Sequence, residues 1–305
     1  METTQKHLTH LKHKASLGPW RLRISLADHK LLTIGLMMLL IMFSVAVFAP
    51  QIVQLDPYEI NPMDRLTGPS AQYWFGTDEF GRDVFSRSVY GARYSFFIGM
   101  VVAALSVIPA LIIGLLSAYF PLLDLILMRV MDGLYAFPAI LLAIAIVAIR
   151  GSSVENLMIA LVIVYIPAVS RVIRSAALSV KGKSYIKALD SQGASAFRII
   201  GVHMLPNILP TVFIQFSYVF AQSIMTESAL SFLGAGIPAP MPSLGNILFD
   251  GKAVIYNSWW MTVFPGLFIV MLVIGLNFVG DGLSNAFNQR HVGRVKRVKA
   301  KKGVV

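Results

Sequence analysis

Long apolar runs alternate with short polar intervals along this chain, and the runs have the length a membrane imposes. Positions 31–50 contain 20 residues without a charge, enough for a helix to cross a hydrocarbon core about 30 Å thick. Positions 94–123 contain 30 more, longer than one crossing needs, with Pro109 placed to kink the helix. A third span is predicted from Leu122 to Ile149, with Asp124, Arg129 and Asp132 near its start. There charges can reach water or pair within the helix. The fourth covers 156–170 and extends past Arg171 and Arg174 beyond the lipid, the fifth covers 208–226 and ends at Glu227, and the sixth is 261–280. Trp259 and Trp260 precede the sixth as an interfacial belt. The pattern predicts an all-α polytopic membrane protein with about six transmembrane helices, and no repeat of fixed period.

The intervals carry the topology. Of 26 Lys and Arg, 19 fall in positions 1–30, 171–198 and 290–305, which is the signature of cytoplasmic segments. The net charge of +11 is therefore a topology signal, and it excludes nucleic acid as a partner. Positions 51–93 contain six acidic and four basic residues, as an external loop permits. The expected organisation is a basic cytoplasmic leader (1–30), a first helix (31–50), an outer loop (51–93), and a core of five helices (94–285) followed by a basic cytoplasmic tail (286–305). Within the core, 179–207 forms a cytoplasmic loop and 228–257 an outer one, where Gly and Pro density forbids a continuing helix. A cleavable leader is the rival for the first span; Val47-Phe-Ala49 has the small residues, but Pro50 follows directly and the run is full membrane length. Composition agrees, with 56% hydrophobic and 13% charged residues and a mean hydropathy of +0.70. No cysteine is present, which removes disulfides and thiolate metal sites.

The most unusual interval is 184–206. Ser184 is a candidate N-cap, Tyr185, Ile186 and Leu189 share one helical face, and Gly193 supplies a left-handed stop. Ser195 restarts the helix, Phe197, Ile200 and Met204 form a second apolar stripe, and Pro206 separates this piece from the fifth span. Two short helices meeting at a bend would present apolar knobs to water unless a partner covers them. The alternative is an amphipathic helix lying on lipid.

Here the chain resembles a known family. A helix of small residues, Gly193, and a stretch closing on Leu205-Pro206 are similar to the EAA loop of ABC importer permeases. Phe75-Gly-Thr-Asp-Glu-Phe-Gly-Arg-Asp-Val-Phe-Ser-Arg87, Tyr90-Gly-Ala-Arg93, Glu227-Ser-Ala-Leu-Ser-Phe-Leu-Gly-Ala-Gly236, Phe264-Pro-Gly266 and Asn277-Phe-Val-Gly-Asp-Gly-Leu283 resemble the C-type permease of dipeptide, oligopeptide and nickel importers. The resemblance covers about residues 30–290 in order and implies the type I ABC importer permease fold. It departs from the family at Lys187, where glutamate is usual before Ala188, at Leu189, where a second alanine is usual, and at His203, where an aliphatic residue is usual. An altered contact with the ATPase is expected.

The resemblance implies that Ser184, Tyr185, Lys187, Ala188, Leu189, Gly193, Phe197, Arg198, Leu205 and Pro206 dock in a groove of an ATPase subunit. It also implies an outer surface that receives a substrate-binding protein, with Asp78, Gly81, Arg82, Asp83, Arg87, Arg93, Glu227, Phe232 and Gly234 in or near it. The bland reading of the charged residues in 78–93 is that they pair and pin the loop. For Glu227 it is that the side chain accepts hydrogen bonds from the following segment, with Ser228 and Ser231 as neighbours. Implied partners are a second, related permease forming a heterodimer, two ATPase subunits carrying ATP-Mg, a binding protein and membrane lipid, all at a bacterial cytoplasmic (inner) membrane. The implied cargo is a di- or oligopeptide, with nickel or a metal chelate as the alternative.

No cofactor or metal is expected on the chain itself, and no enzymatic activity. Gly182-Lys183-Ser184 ends like a phosphate-binding loop, but Ala177 stands where its first glycine belongs. The six histidines (His7, His10, His13, His29, His203, His291) are dispersed. An ion-coupled carrier would need paired carboxylates or a Lys in mid-span; Asp132 is the nearest candidate, and Arg129 lies one turn away. A membrane hydrolase would need a nucleophile and base that the sequence lacks.

Overall fold

The computed structural model describes residues 30–301, with side chains through 287. The basic leader before Lys30, with four of the six histidines (His7, His10, His13 and His29), and the side chains of the basic tail, that of His291 included, lie outside the description. The element order is α1 (Lys30–Val47), α2 (Ala49–Ile52), α3 (Val84–Tyr119), α4 (Pro121–Tyr135), α5 (Ala139–Arg150), α6 (Val154–Lys181), α7 (Ser184–Ser191), α8 (Ala196–Arg198), α9 (Leu205–Phe232), α10 (Leu244–Ala253) and α11 (Trp260–Lys301). A wide π turn, Ile199–Met204, joins α8 to α9. Five helices are long and apolar enough to cross a membrane, and α4 with α5 makes a sixth span if the bent pair counts as one.

Sequence explains most boundaries, and local chemistry corrects the rest. α3 begins at Val84, ten residues before the predicted start at Tyr94, because Asp83 caps it by accepting the Ser86 amide. Arg87 and Arg93 therefore stand on a helix and not in a loop. α3 ends where Pro121 forces Phe120 into an extended conformation. The third span is not one helix: α4 and α5 meet at 87°, because Pro138 lacks an N–H and holds the preceding residue out of a helix. α9 continues one and a half turns beyond the predicted end and reaches Phe232, so Glu227 lies inside it. Leu244–Ala253 adds a helix within the predicted outer loop.

One expectation about the polar interval is reversed. Pro206 does not separate it from the fifth span, since helix runs without a gap from Ala196 through the π turn into α9. The wide turn bonds the Leu205 amide to the Ile200 carbonyl and gives the proline ring room that an ordinary α turn lacks.

The helices pack through small residues, as membrane bundles do. Gly35 of α1 sits against Gly275, Phe278 and Val279 of α11, and Gly282 sits against Leu32. The start of α1 and the 282 region of α11 thus share one end of the bundle. That end also holds the end of α3 and residues 181–205, through contacts of Lys181 and Asp190 with residues 118–119. The start of α3, the end of α9, α10 and the start of α11 share the other end.

Candidate functional site

Two regions stand out, one at each end. At the first end, the 181–205 elbow is built from short elements. Lys181, in the last turn of α6, donates from Nζ to the carbonyls of Ala118 (3.0 Å) and Tyr119 (2.8 Å), occupying acceptors that the end of α3 leaves free. Tyr119 donates its hydroxyl to Asp190 at 3.2 Å. α7 follows, with Lys183 in the N-cap position and no side-chain cap, so Ser184 is the first helical residue and not the cap. Gly193 turns the chain with φ of +76°, a conformation that favours glycine. The space around its position is open, so the glycine is required by conformation and not by crowding. Ser195 occupies the next N-cap position, again without a side-chain bond.

The two apolar stripes predicted here are split. Ile186 is 2% exposed, and Ile200 and Met204 are buried in the bundle core, while Tyr185 is partly exposed and Phe197 is 80% exposed. Leu189, Ala194 and Leu205 pack against that core. Phe197 therefore does not belong to the stripe of Ile200 and Met204. It stands in the solvent, beside exposed Arg198 and one bend away from exposed Lys187 and Ala188, with Val202 60% exposed further along the same helix. Asn207 connects the halves, donating to the His203 carbonyl at 2.7 Å and to the Tyr185 hydroxyl at 3.2 Å.

At the opposite end, residues 53–83 fold over the bundle, and Asp78, Arg82 and Arg87 pair there. Asp78 accepts the Phe80 and Arg82 amides on Oδ1 and Arg82 Nε on Oδ2 at 2.6 Å, with Arg87 Nε 3.4 Å away. Arg82 also approaches Asp250 of α10 at 3.8 Å. Gly81 has φ of +75°, and a β-carbon there would collide with the Asn61 carbonyl. Trp260, predicted in an interfacial belt, is instead buried and donates to the Thr77 carbonyl at 3.1 Å. Arg93 faces outward and joins none of these pairs. Burial raises the Asp250 carboxyl above its ordinary range, against the pull of Arg87 and Arg82.

Glu227 is fully buried, the most enclosed acidic or basic side chain among the described residues. Its oxygens receive hydroxyls from four serines: Ser95 at 3.0 Å, Ser231 at 2.9 Å, Ser243 at 2.8 Å and Ser228 at 3.4 Å. Ser228 and Ser231 were readable from helical spacing. Ser95 on α3 and Ser243 before α10 were not, because no local period links positions 132 and 16 residues apart. Phe232 and Gly234 follow at the surface, where Gly234 ends the helix with φ of +81°. The charged triplet on α4 also differs from expectation. Asp124 pairs with Arg174 (2.5 Å) and Asp132 with Arg171 (2.8 Å), both across to α6 and neither with Arg129. Among the described residues no acid-and-histidine cluster could hold a metal.

A helical bundle with one broken span, a polar elbow at one end and a charge-pinned cap at the other defines a polytopic membrane transport subunit. The chain belongs to the family of binding-protein-dependent transport system inner membrane components, whose model matches residues 110–292, while residues 18–69 match the N-terminal transmembrane domain of oligopeptide transport permease C. It is 41% identical to the dipeptide transport system permease protein DppC of Alkalihalophilus pseudofirmus, over 90% of this chain and 91% of that one. It is 37% identical to the di/tripeptide transport system permease protein DppC of Pseudomonas aeruginosa, over 84% and 87%. Its fold is similar to an inward-facing structure of the MetNI methionine ABC transporter, with a TM-score of 0.56 and 19% identity, covering 66% of this chain and 96% of that one. The chain is thus a multi-pass inner-membrane permease subunit of a bacterial ABC importer.

Proposed function

We propose that this subunit passes di- or oligopeptides into the cytoplasm, powered by ATPase subunits that grip the 184–206 elbow. The observation that carries the reading is Phe197, a large aromatic side chain left 80% exposed where Ile199, Ile200 and Met204 just beyond it are buried, with Val202 60% exposed on the same helix. A strongly exposed aromatic on a rigid support is the form of an interface anchor. Lys187, which stands where the family usually has an acid, and Arg198 flank it with positive charge, so the groove receiving them is expected to carry acidic residues. ATP and Mg belong to two partner ATPases. A second, related permease completes the heterodimer against the exposed faces of α4 and α5. The basic elbow lies on the cytoplasmic side and the 53–83 cap on the outer side, where a binding protein delivers cargo.

The peptide assignment is favoured over nickel by the names of the relatives, which are dipeptide and di/tripeptide permeases. Co-purification from native membrane tests the assembly: two ATPase chains and a second permease should accompany this subunit. Recovery of the subunit alone, from membranes where all the components are present, would refute it. Phe197→Asp should release the ATPases while leaving the permease inserted.

A further inference from the structure

Two ion pairs join α4 to α6, and they are built differently. Arg174 holds Asp124 through two bonds, Nε to Oδ1 at 2.5 Å and Nη2 to Oδ2 at 2.6 Å, so both carboxylate oxygens are engaged. Arg171 holds Asp132 through one, Nη2 to Oδ1 at 2.8 Å. Among the described residues, Oδ2 of Asp132 and the other guanidinium nitrogens of Arg171 make no further hydrogen bond. This pair is also the more accessible, its Arg and Asp side chains 38% and 52% exposed against 33% and 27% in the other. The Arg174 pair is a closed brace. The Arg171 pair keeps an acceptor and several donors open to a ligand.

Its surroundings suit one. The Arg171 guanidinium lies 4.2 Å from the centroid of the Tyr135 ring. Tyr135 in turn lines a cavity of about 380 Å³ at the α4–α5 bend, with Phe137, Leu142 and Val164, a volume in the range of small-ligand sites. Charged groups on a spanning helix face water or protein and not hydrocarbon. Ser175 and Ser179, four and eight residues beyond Arg171, are exposed in line with it, whereas every exposed residue of α1 from Leu31 to Val47 is apolar. The α6 face beside the open pair is therefore wetter than a lipid-facing one.

We infer that Arg171 and Asp132 contact the peptide in transit, Arg171 taking its terminal carboxylate and Asp132 its terminal ammonium, while an apolar side chain enters the cavity at the bend. The inference rests on the reading of this subunit as a peptide permease whose α4–α5 face meets the second permease. Every linear peptide with free ends carries one carboxylate and one ammonium, so a cation with spare donors beside an anion with a spare oxygen recognises the class without reading its sequence. An exposed pair held by a single bond is worth little, so cargo can displace it and then leave.

The test uses the complete transporter with its binding protein in liposomes and radiolabelled alanyl-alanine as cargo. A photoreactive benzophenone amino acid replaces Ser175, one turn from Arg171. Illumination during ATP-driven uptake should attach label to this subunit. Arg171→Gln and Asp132→Asn should each cut that labelling at least about fivefold per assembled complex, and Arg171→Lys, which keeps the charge but not the fork, should fall between. A pair that merely braces α4 against α6 would leave the labelling of assembled variants within about twofold of wild type, which would overturn the site. Where a neutral variant does not assemble, Arg171→Lys decides, and labelling equal to wild type overturns the site again. Uptake by wild type without label at position 175, or attachment of the probe to the second permease in place of cargo, would overturn it as well. A wild-type complex that takes up no dipeptide at all would instead overturn the peptide reading, and the site with it.

Discussion

Removing the Glu227 carboxylate should loosen α10 and the 233–243 loop from the bundle. Glu227→Ala leaves three hydroxyls that lay within 3.0 Å without their acceptor. Ser95 can turn to another acceptor on its own helix. The other two are held. Ser231 Oγ also accepts the Ile237 amide at 3.2 Å, and Ser243 Oγ accepts the Gly245 amide at 3.2 Å, so neither can swing away without losing a loop contact. Two orphaned hydroxyls at about 1–3 kcal/mol each, with the lost packing of the side chain, give a destabilisation of about 3–5 kcal/mol. Glu227→Gln keeps the shape and one oxygen, and its amide N–H₂ meets hydroxyls that can rotate to accept, so about 1–2 kcal/mol is expected.

Unfolding of the purified complex in mixed micelles containing SDS measures the loss, and limited proteolysis of the 233–243 segment locates it. A double-mutant cycle with Ser243→Ala checks the cause: the two changes should be strongly non-additive because they remove one interaction. If Glu227→Ala falls within about 1 kcal/mol of wild type, or if its effect and that of Ser243→Ala simply add, the cage does not hold the loop.

Three further outcomes follow from the geometry. Gly193→Val should abolish transport-coupled ATPase activity with normal membrane insertion, while Gly193→Asn should keep most of it, because the open surroundings leave only the left-handed conformation to satisfy, at about 1–2 kcal/mol for an ordinary residue; equal activity of the two variants would contradict this. Phe197→Asp should cut ATPase association without lowering thermal stability, whereas Ile186→Asp, at a buried position, should lower stability by several °C in a melting assay. The Asp250 carboxyl is raised by burial above its ordinary value of 3.8, so the folded state binds the proton more tightly than the unfolded chain, and the contribution of this group improves as pH falls through its folded value. Asp250→Asn should then be neutral or stabilising at pH 7 and remove the gain that this group contributes as pH falls, so that the variant's advantage over wild type shrinks in acid; a loss above about 1 kcal/mol at pH 7 would mean that the Arg82 contact outweighs burial.

The order of the apolar spans, the basic elbow and the left-handed turn at Gly193 were readable in the sequence, because each depends on a local run or on one residue type. What was not readable depended on contacts distant in sequence or on the detail of one turn. Val84 starts α3 because Asp83 can cap it, yet the surrounding Gly and charged residues read as loop. The serines around Glu227 come from three elements, and a single sequence carries no signal that joins 95 to 227 to 243. Phe197 shares a helical period with Ile200 and Met204 but not their burial, since periodicity places residues around an axis and the π turn shifts that axis between them. Trp260 looked like an interfacial anchor because Trp-Trp at the edge of an apolar run is common there; its partner, the Thr77 carbonyl, is 183 residues away.

The joint at 199–205 bears on how force from the elbow would enter the bundle. α3 has 36 residues, about 54 Å of helix, and small residues along it admit close neighbours: Gly99 meets Phe220 and Ile224 of α9, and Gly114 meets Ile173 of α6. A rod packed this closely has no slack to absorb displacement, and Lys181 and Asp190 fasten its end to the elbow. α9 is attached differently. It reaches the elbow through a π turn with Pro206 just beyond, where the hydrogen-bond ladder is already irregular and bending costs least. Movement of Phe197 therefore has one stiff route, through α7 and α6 to α3, and one compliant route, through the π turn to α9. Relative motion between α3 and α9 is then resisted by the packing of Gly99 against Phe220 and Ile224 and, at the far end, by the Ser95 bond to Glu227, so the same carboxylate that anchors the outer loop adds to what holds the two helices together.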